Sequence, residues 1–164
     1  MKILKRNGIY ESLSFDKILY RLKKICDDDE LSQLKTIDPD LIAQKTVSSI
    51  YDGISSSELD EEAARISIGM IENIEYSKLA SRIIVSNIQK NTCDKFSDTI
   101  QLLYNNKDIS GKHCPIITKE LYDIVQEYSN EIDEMIVNKR DFLFDYFGYK
   151  TLKKVIFSKL KEKL

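Results

Sequence analysis

Histidine and cysteine are scarce in this chain of 164 residues, which contains one histidine and three cysteines. Cys26, Cys93 and Cys114 stand far apart, and no Cys-x-x-Cys pair occurs. We therefore expect neither a four-ligand zinc site nor a catalytic constellation built on histidine or cysteine. The adjacent His113 and Cys114 offer two metal ligands at most, and ordinary thiols in a reducing compartment are the favoured interpretation.

Other signals are absent as well. Neither a Gly-x-x-x-x-Gly-Lys-Ser/Thr loop nor a Gly-x-Gly-x-x-Gly motif occurs, so both standard phosphate loops are excluded. The 25 basic and 27 acidic side chains give a net charge of −2, which excludes a global basic field for nucleic acid. No apolar run approaches the roughly 20 residues of a membrane span, and no secretory signal follows Met1. We expect a soluble, cytoplasmic protein without nucleic-acid or membrane partners.

The first residues predict a β-hairpin. Asn7-Gly8 is the preferred pair for a two-residue type I′ turn, because both positions need a positive φ. With that turn, Leu4 lies opposite Glu11. The predicted strands are Lys2–Arg6 and Ile9–Leu13.

Two amphipathic helices are predicted next. Ser14 has the position of an N-cap, and apolar residues follow it at helical spacing. The acidic run Asp27–Glu30 ends this helix and is interpreted as a solvated loop. A second helix is expected to start at Asp38, with Pro39 at the first helical position, and to end at Gly53.

Two more helices complete a first domain, which we predict to span residues 1–92. Ser55 and Glu58 have the spacing of a capping box at the start of the third helix. The fourth helix is expected to run from about Glu75 to about Lys90. The predicted fold is therefore mainly α, with one hairpin followed by four helices.

Residues 93–164 keep a helical character and form the second predicted domain. Hydrophobic residues make up 42% of the chain, a fraction typical of folded proteins. The aromatic stretch Asp141–Phe147 is expected to pack against another surface, because exposed aromatic side chains are costly. The lysine-rich tail Lys150–Leu164 is predicted to be helical.

Polar side chains suited to a nucleoside triphosphate are concentrated in the first 90 residues. A triphosphate needs several cations and donors at a helix N-terminus, and an adenine amino group needs an acceptor. Each candidate also has an ordinary structural explanation, as part of a solvated turn or a helix start. The candidates are Lys5, Arg6, Glu11, Asp16, Lys17, Ser56, Asp60 and Lys90.

Several segments of the first 90 residues match one known family in order and spacing. They are Lys5-Arg6-Asn7-Gly8, Phe15-Asp16-Lys17-Ile18, Ile54–Asp60, Leu79–Ile83 and Val85–Asn87. With these segments the chain resembles the ATP-cone, the regulatory nucleotide-binding module of ribonucleotide reductases.

The similarity continues beyond that module to about residue 157. The matching segments are Phe96–Asp98, Leu103–Asn105, Gly111–His113, Arg140–Phe142 and Tyr146–Leu152. This second group resembles the large subunit of eukaryotic-type and viral class I reductases.

The resemblance implies a site for ATP or dATP as allosteric effector, with Mg²⁺. It implies that Lys5 and Arg6 lie at or near the phosphates. It also implies that the stretch Glu11–Lys17 surrounds the base and sugar, with Asp16 as the adenine contact.

The resemblance also implies roles for three further residues. Ser56 and Asp60 stand where the family reads the sugar and phosphates, and Lys90 where it neutralises phosphate charge. The family often has a second lysine three residues after Lys90, where this chain has Cys93. That departure removes one phosphate contact.

The resemblance further implies a regulatory role in deoxyribonucleotide synthesis for DNA replication, through association with other large subunits and with the small subunit. No cysteine of this chain matches a catalytic position of the family, so we assign no catalytic residue and expect no nucleotide reduction by the chain alone. The alternative is a free-standing interaction protein that binds a reductase without sensing nucleotide. A transcriptional regulator is disfavoured, because no cysteine-rich ribbon precedes Lys5. A helical domain without a fixed ligand is the remaining interpretation.

Overall fold

A computed structural model describes residues 1–28 and 31–161, with side chains up to Val155. Within this range the chain forms one hairpin, eight α-helices and one 3-10 helix, which confirms the mainly α prediction. None of the helices in the described part of the chain is both long and apolar enough to cross a membrane. The elements are β1 (Lys2–Leu4), β2 (Tyr10–Ser12), α1 (Phe15–Cys26), α2 (Pro39–Ser49), α3 (Ser56–Gly69), α4 (Ile74–Gln89), α5 (Phe96–Tyr104), α6 (Lys119–Glu127), α7 (Ser129–Met135), the 3-10 helix Asn138–Leu143, and α8 (Tyr146–Lys161).

The chain divides into two compact units. The first contains Met1–Asn87 together with the segment that begins at Phe142, and the second is Ile88–Asp141. The first unit is therefore made of two separate stretches of sequence. The predicted acidic loop includes residues 29 and 30, and the predicted helical tail includes residues 162–164, all of which lie outside the described residues.

The hairpin forms as predicted, but its turn is of another type. The Lys5 N–H donates to the Ile9 carbonyl, and the Gly8 N–H donates to the Lys5 carbonyl, each at 2.9 Å. Gly8 has φ +80°, whereas Asn7 does not take a positive φ. Asn7 instead accepts a hydrogen bond from the Ile9 N–H at 3.1 Å. The loop therefore has three residues, with the left-handed glycine that such loops require, and the predicted type I′ turn is wrong.

This longer loop shifts the strand register by one residue. Leu4 lies opposite Tyr10, and Ile3 lies opposite Glu11. The prediction that Leu4 lies opposite Glu11 is therefore wrong. Ile3, which shares a sheet face with its partner Glu11, is the buried residue of β1.

Helix α2 ends earlier than its sequence predicts, at Ser49 instead of Gly53. The Gly53 N–H donates to the Lys2 carbonyl, and the Leu4 N–H donates to the Ile54 carbonyl, each at 2.9 Å. These backbone groups pair with the edge of the hairpin, so they are not available to continue the helix. The glycine lies in the turn between α2 and α3, where its φ is +85°.

Local capping signals are confirmed at three helix starts. The Ser14 hydroxyl accepts from the Lys17 N–H, and the Asp38 carboxylate accepts from the first turn of α2. Ser55 and Glu58 make both hydrogen bonds of the predicted capping box. Each cap satisfies backbone donors that a helix start leaves unpaired.

The core of the first unit lies between α1, α2, α3 and α4. Helix α4 contributes more buried hydrophobic residues than any other helix of the unit, and Leu79 and Ile83 are completely buried. Cys26, at the end of α1, is 3% exposed, and burial raises the pKa of its thiol to about 11. A buried thiol with a raised pKa is unreactive, which agrees with the interpretation of the cysteines as ordinary thiols.

Helix α8 belongs to the first unit. Lys150 and Lys153 both donate to the Glu61 carboxylate of α3, at 3.3 and 2.7 Å. Within the described chain Tyr146 is buried, whereas Phe144 and Phe147 are 50% and 64% exposed, so the packing expected for these two side chains stays a prediction. Lys150 lies over the ring of Tyr146, at 5.7 Å from its centroid, so the contacts with α3 are made on the same face of α8 as the buried tyrosine.

The second unit contains α5, α6 and α7. Its small core includes Ile100 and Val125. The Asp133 carboxylate accepts from both the backbone N–H and the hydroxyl of Ser97, which holds the start of α5 to the end of α7. The side-chain amide of Gln89 donates to the Asp141 carboxylate at 2.9 Å and so joins the two ends of the unit.

Candidate functional site

A buried carboxylate on α3 forms the centre of the candidate site. The side chain of Asp60 is 8% exposed. Arg21 of α1 donates its Nε to Asp60 Oδ1 at 2.7 Å and its Nη2 to Oδ2 at 2.8 Å. This two-point contact neutralises the carboxylate, which would otherwise be costly to bury.

Arg6 extends this cluster to the hairpin and to α4. Its Nη2 donates to Asn87 Oδ1 at 2.6 Å and lies 3.5 Å from Asp60 Oδ2. Asn87 in turn accepts from the Ser57 hydroxyl and donates to the Ser57 carbonyl. We call Arg6, Arg21, Ser57, Asp60 and Asn87 the Asp60 network. It joins the hairpin turn, α1, α3 and α4 by polar contacts.

A second, more exposed cluster lies beside the hairpin. The Glu11 carboxylate is 3.2 Å from Lys17 Nζ and 3.5 Å from Lys5 Nζ. The hydrogen bond from Lys17 and the charges of both lysines lower the pKa of Glu11. Two cations therefore share one carboxylate. Lys5 and Lys17, which we call the lysine pair, carry more positive charge than Glu11 balances, and this favours the binding of an anion.

The two clusters take residues from the same two elements, the hairpin turn and α1. Lys5 and Arg6 are neighbours in the hairpin turn, and Lys17 and Arg21 are four residues apart on α1, so they share one face of that helix. The N-terminus of α3 adds the positive end of a helix dipole, together with Ser56 at its first position.

The predicted residues therefore fall into three groups. Lys5 and Lys17 both contact Glu11, and Arg6 and Asp60 are in contact with each other. Each of the other three has its own position: Asp16 is exposed in the first turn of α1, Ser56 is half-buried at the start of α3, and Lys90 is exposed at the start of the second unit.

Sequence reasoning did not include Arg21, Ser57 and Asn87 among the site residues. One signal was available for Arg21. Asp60 shares its helix face with Ala64 and Ser67, both fully buried. A carboxylate on a buried face needs a cationic partner, and the arginine four residues after Lys17 is placed to supply it.

Comparison with known proteins gives the family. The family model described as ATP cone domain matches residues 1–91. The ribonucleoside-diphosphate reductase large subunit of Vaccinia virus is 39% identical over the whole of this chain, which covers 21% of that protein. The corresponding large subunit of Arabidopsis thaliana is 40% identical over 94% of the chain, and the large chain of Neurospora crassa is 38% identical over 98%. The chain spans 19% and 17% of these two relatives, so it covers about a fifth of the proteins that it matches. Since the matched residues 1–91 are more than half of the chain and contain both polar clusters, this chain belongs to the ATP cone domain family.

Proposed function

We propose that the ATP cone domain of this chain, residues 1–92, binds ATP or dATP as an allosteric effector. The observation that supports this most directly is the lysine pair, in which Lys5 and Lys17 share the single carboxylate of Glu11. A triphosphate offers these lysines a larger negative charge than Glu11 does. The nearby N-terminus of α3 provides further donors for phosphate oxygens.

The remaining site residues have distinct proposed roles. Asp16 is exposed and is an acceptor for the adenine amino group. Ser56 and Asp60 share a face of α3 and are proposed to read the sugar and phosphates. The proposed role of Lys90, neutralising phosphate charge, rests on its family position alone. Mg²⁺ is proposed to arrive with the triphosphate.

At the level of the assembly, we propose that this region regulates a ribonucleotide reductase in the cytoplasm. The support is similarity over the full chain to large subunits of that enzyme. Nucleotide bound at the ATP cone would change how large subunits associate with one another and with the small subunit, and so control deoxyribonucleotide synthesis.

Calorimetry with ATP and dATP in the presence of Mg²⁺ tests the binding site. Lys5→Ala and Lys17→Ala are each expected to weaken binding by about 1–3 kcal/mol, because a charge-assisted contact with phosphate is lost. The matched control is Lys23→Ala, which removes an exposed lysine of α1 that pairs with Asp40 at 3.3 Å. It should leave the affinity unchanged.

Two results would contradict the proposal. Dissociation constants weaker than millimolar for both nucleotides would exclude a physiological effector site. An equal loss in the Lys23→Ala control would show that the lysines act through net charge, and not as ligands.

Association is a separate expectation. Leu143, Phe144 and Phe147 are 83%, 50% and 64% exposed, which leaves apolar surface suited to a protein partner. We expect dATP to increase the sedimentation coefficient of the chain, and Phe147→Ser to suppress this increase. The control is Ile71→Ser, at another exposed apolar position, 92% exposed. Association that is identical with and without dATP would instead support an interaction protein that does not sense nucleotide.

A further inference from the structure

Arg21 belongs to the Asp60 network but has no role in the proposed function. Asp60 is held by two arginines that contact it differently. Arg21 makes two short hydrogen bonds at 2.7 and 2.8 Å, one to each oxygen, whereas Arg6 approaches one oxygen at 3.5 Å. A two-point contact fixes the plane of a carboxylate as well as its position. The orientation of Asp60 is therefore set by Arg21.

Arg21 is well placed to act through Asp60. Its side chain is 26% exposed, and its Nη2 also lies 3.5 Å from the Ser86 hydroxyl of α4. Arg6 is also held by Asn87, because its Nη2 donates to Asn87 Oδ1 at 2.6 Å. Among the described residues, removing Arg21 leaves Asp60 with the longer contact alone, so the carboxylate is free to rotate.

The orientation of this carboxylate matters for nucleotide choice. ATP and dATP differ by one hydroxyl group, and a protein discriminates strongly on a hydroxyl only where a polar partner is held in place for it. Each oxygen of Asp60 has one further lone pair after its bond to Arg21; that of Oδ2 faces Arg6 Nη2 at 3.5 Å, and that of Oδ1 has no partner among the described residues. The direction of those lone pairs is fixed for as long as the two-point contact is made.

We infer that Arg21 is a specificity-determining positioning residue of the nucleotide site, which sets the ratio of dATP to ATP affinity through Asp60 without touching the nucleotide. This inference rests on the proposed function. It differs from a purely structural role, such as that of Arg82, whose guanidinium donates to the backbone carbonyls of Ile25 and Ser32.

Calorimetry with ATP and dATP on Arg21→Lys tests the inference. Lysine keeps the positive charge beside Asp60, so the variant is expected to fold, but lysine cannot make the two-point contact. The ratio of the two dissociation constants is expected to move toward one by about tenfold. Arg65→Lys is the matched control, since Arg65 makes a two-point contact with Glu62 on the same helix as Asp60. The control should keep the ratio of the unchanged chain.

A double variant identifies the route. If Arg21 acts through Asp60, then Arg21→Lys combined with Asp60→Asn should give the same ratio as Asp60→Asn alone. Additive changes in the ratio would overturn the inference. So would an unchanged ratio in Arg21→Lys with a lowered melting temperature, because Arg21 would then be purely structural.

The outcomes for the unchanged chain separate the two claims. If it binds neither nucleotide, the proposed function fails. If it binds both with equal affinity, the proposed function stands, but the inference is overturned because there is no discrimination to set.

Discussion

Asp60→Ala is expected to lower the free energy of unfolding by about 3–5 kcal/mol, the usual result of removing one partner of a buried ion pair. The side chain of Asp60 is 8% exposed, and its carboxylate separates the guanidinium groups of Arg21 and Arg6. Without it, two cations face each other in a poorly solvated place. We expect a value near the lower end of the range, because Arg21 and Arg6 are 26% and 33% exposed and can partly reach water.

Urea unfolding followed by circular dichroism measures this effect, provided that the dependence on denaturant stays the same. The matched control is Glu62→Ala on the same helix. Its partner Arg65 is 64% exposed, so the loss should be no more than about 1 kcal/mol. Similar losses in the two variants would show that the Asp60 network contributes no more than a surface ion pair.

Leu79→Ala is expected to lower the free energy of unfolding by about 2–5 kcal/mol. Leu79 is completely buried in α4, the helix that contributes the largest share of the core of the first unit. Truncation removes apolar contacts and leaves a cavity that the surrounding helices fill only in part. The same unfolding experiment measures the change.

Helix α4 also provides the control for this variant. Ile74 is its first residue and is 71% exposed, so Ile74→Ala should change stability by less than about 0.5 kcal/mol. A small loss at Leu79 would mean that the helices move together to fill the space. A large loss at Ile74 would mean that this residue is covered in solution.

The parts of the fold that depend on neighbouring residues were predictable from the sequence. The caps at Ser14, Asp38 and Ser55 are formed by side chains that bond to backbone within three residues. The order of hairpin and helices follows from the same local signals and from apolar spacing.

One error arose where a distant residue decides the structure, and another where the local sequence permits two turns. Gly53 was a reasonable helix end by its local sequence, but Lys2, about fifty residues away, binds its backbone and α2 stops earlier. The turn at Asn7-Gly8 has an alternative three-residue form that the same two residues permit, and the sequence does not choose between them. The resulting one-residue difference changed the predicted partner of Leu4.

The candidate site divides in the same way. Lys5, Glu11 and Lys17 were each among the predicted site residues, but the sequence did not show that both lysines contact Glu11. Arg21 and Asn87 were not among them, because they meet Asp60 and Arg6 across 39 and 81 residues. Helical periodicity tells which face a residue occupies, but it does not tell which element faces it. Polar partners across such distances come from the packing of the helices.

The interrupted first unit has a consequence for the order of events on the ribosome. The contacts of Lys150 and Lys153 with Glu61 span 89 and 92 residues, so they form only after the whole of Ile88–Asp141 has been synthesised. An unfolded segment of this length would make the closure entropically costly. The second unit has its own helices and core, and Gln89 fastens its ends together at Asp141. Once folded, the second unit shortens the loop that must close between α3 and α8. Helix α8 is synthesised several seconds after α3, at the usual elongation rate of roughly 5–20 residues per second.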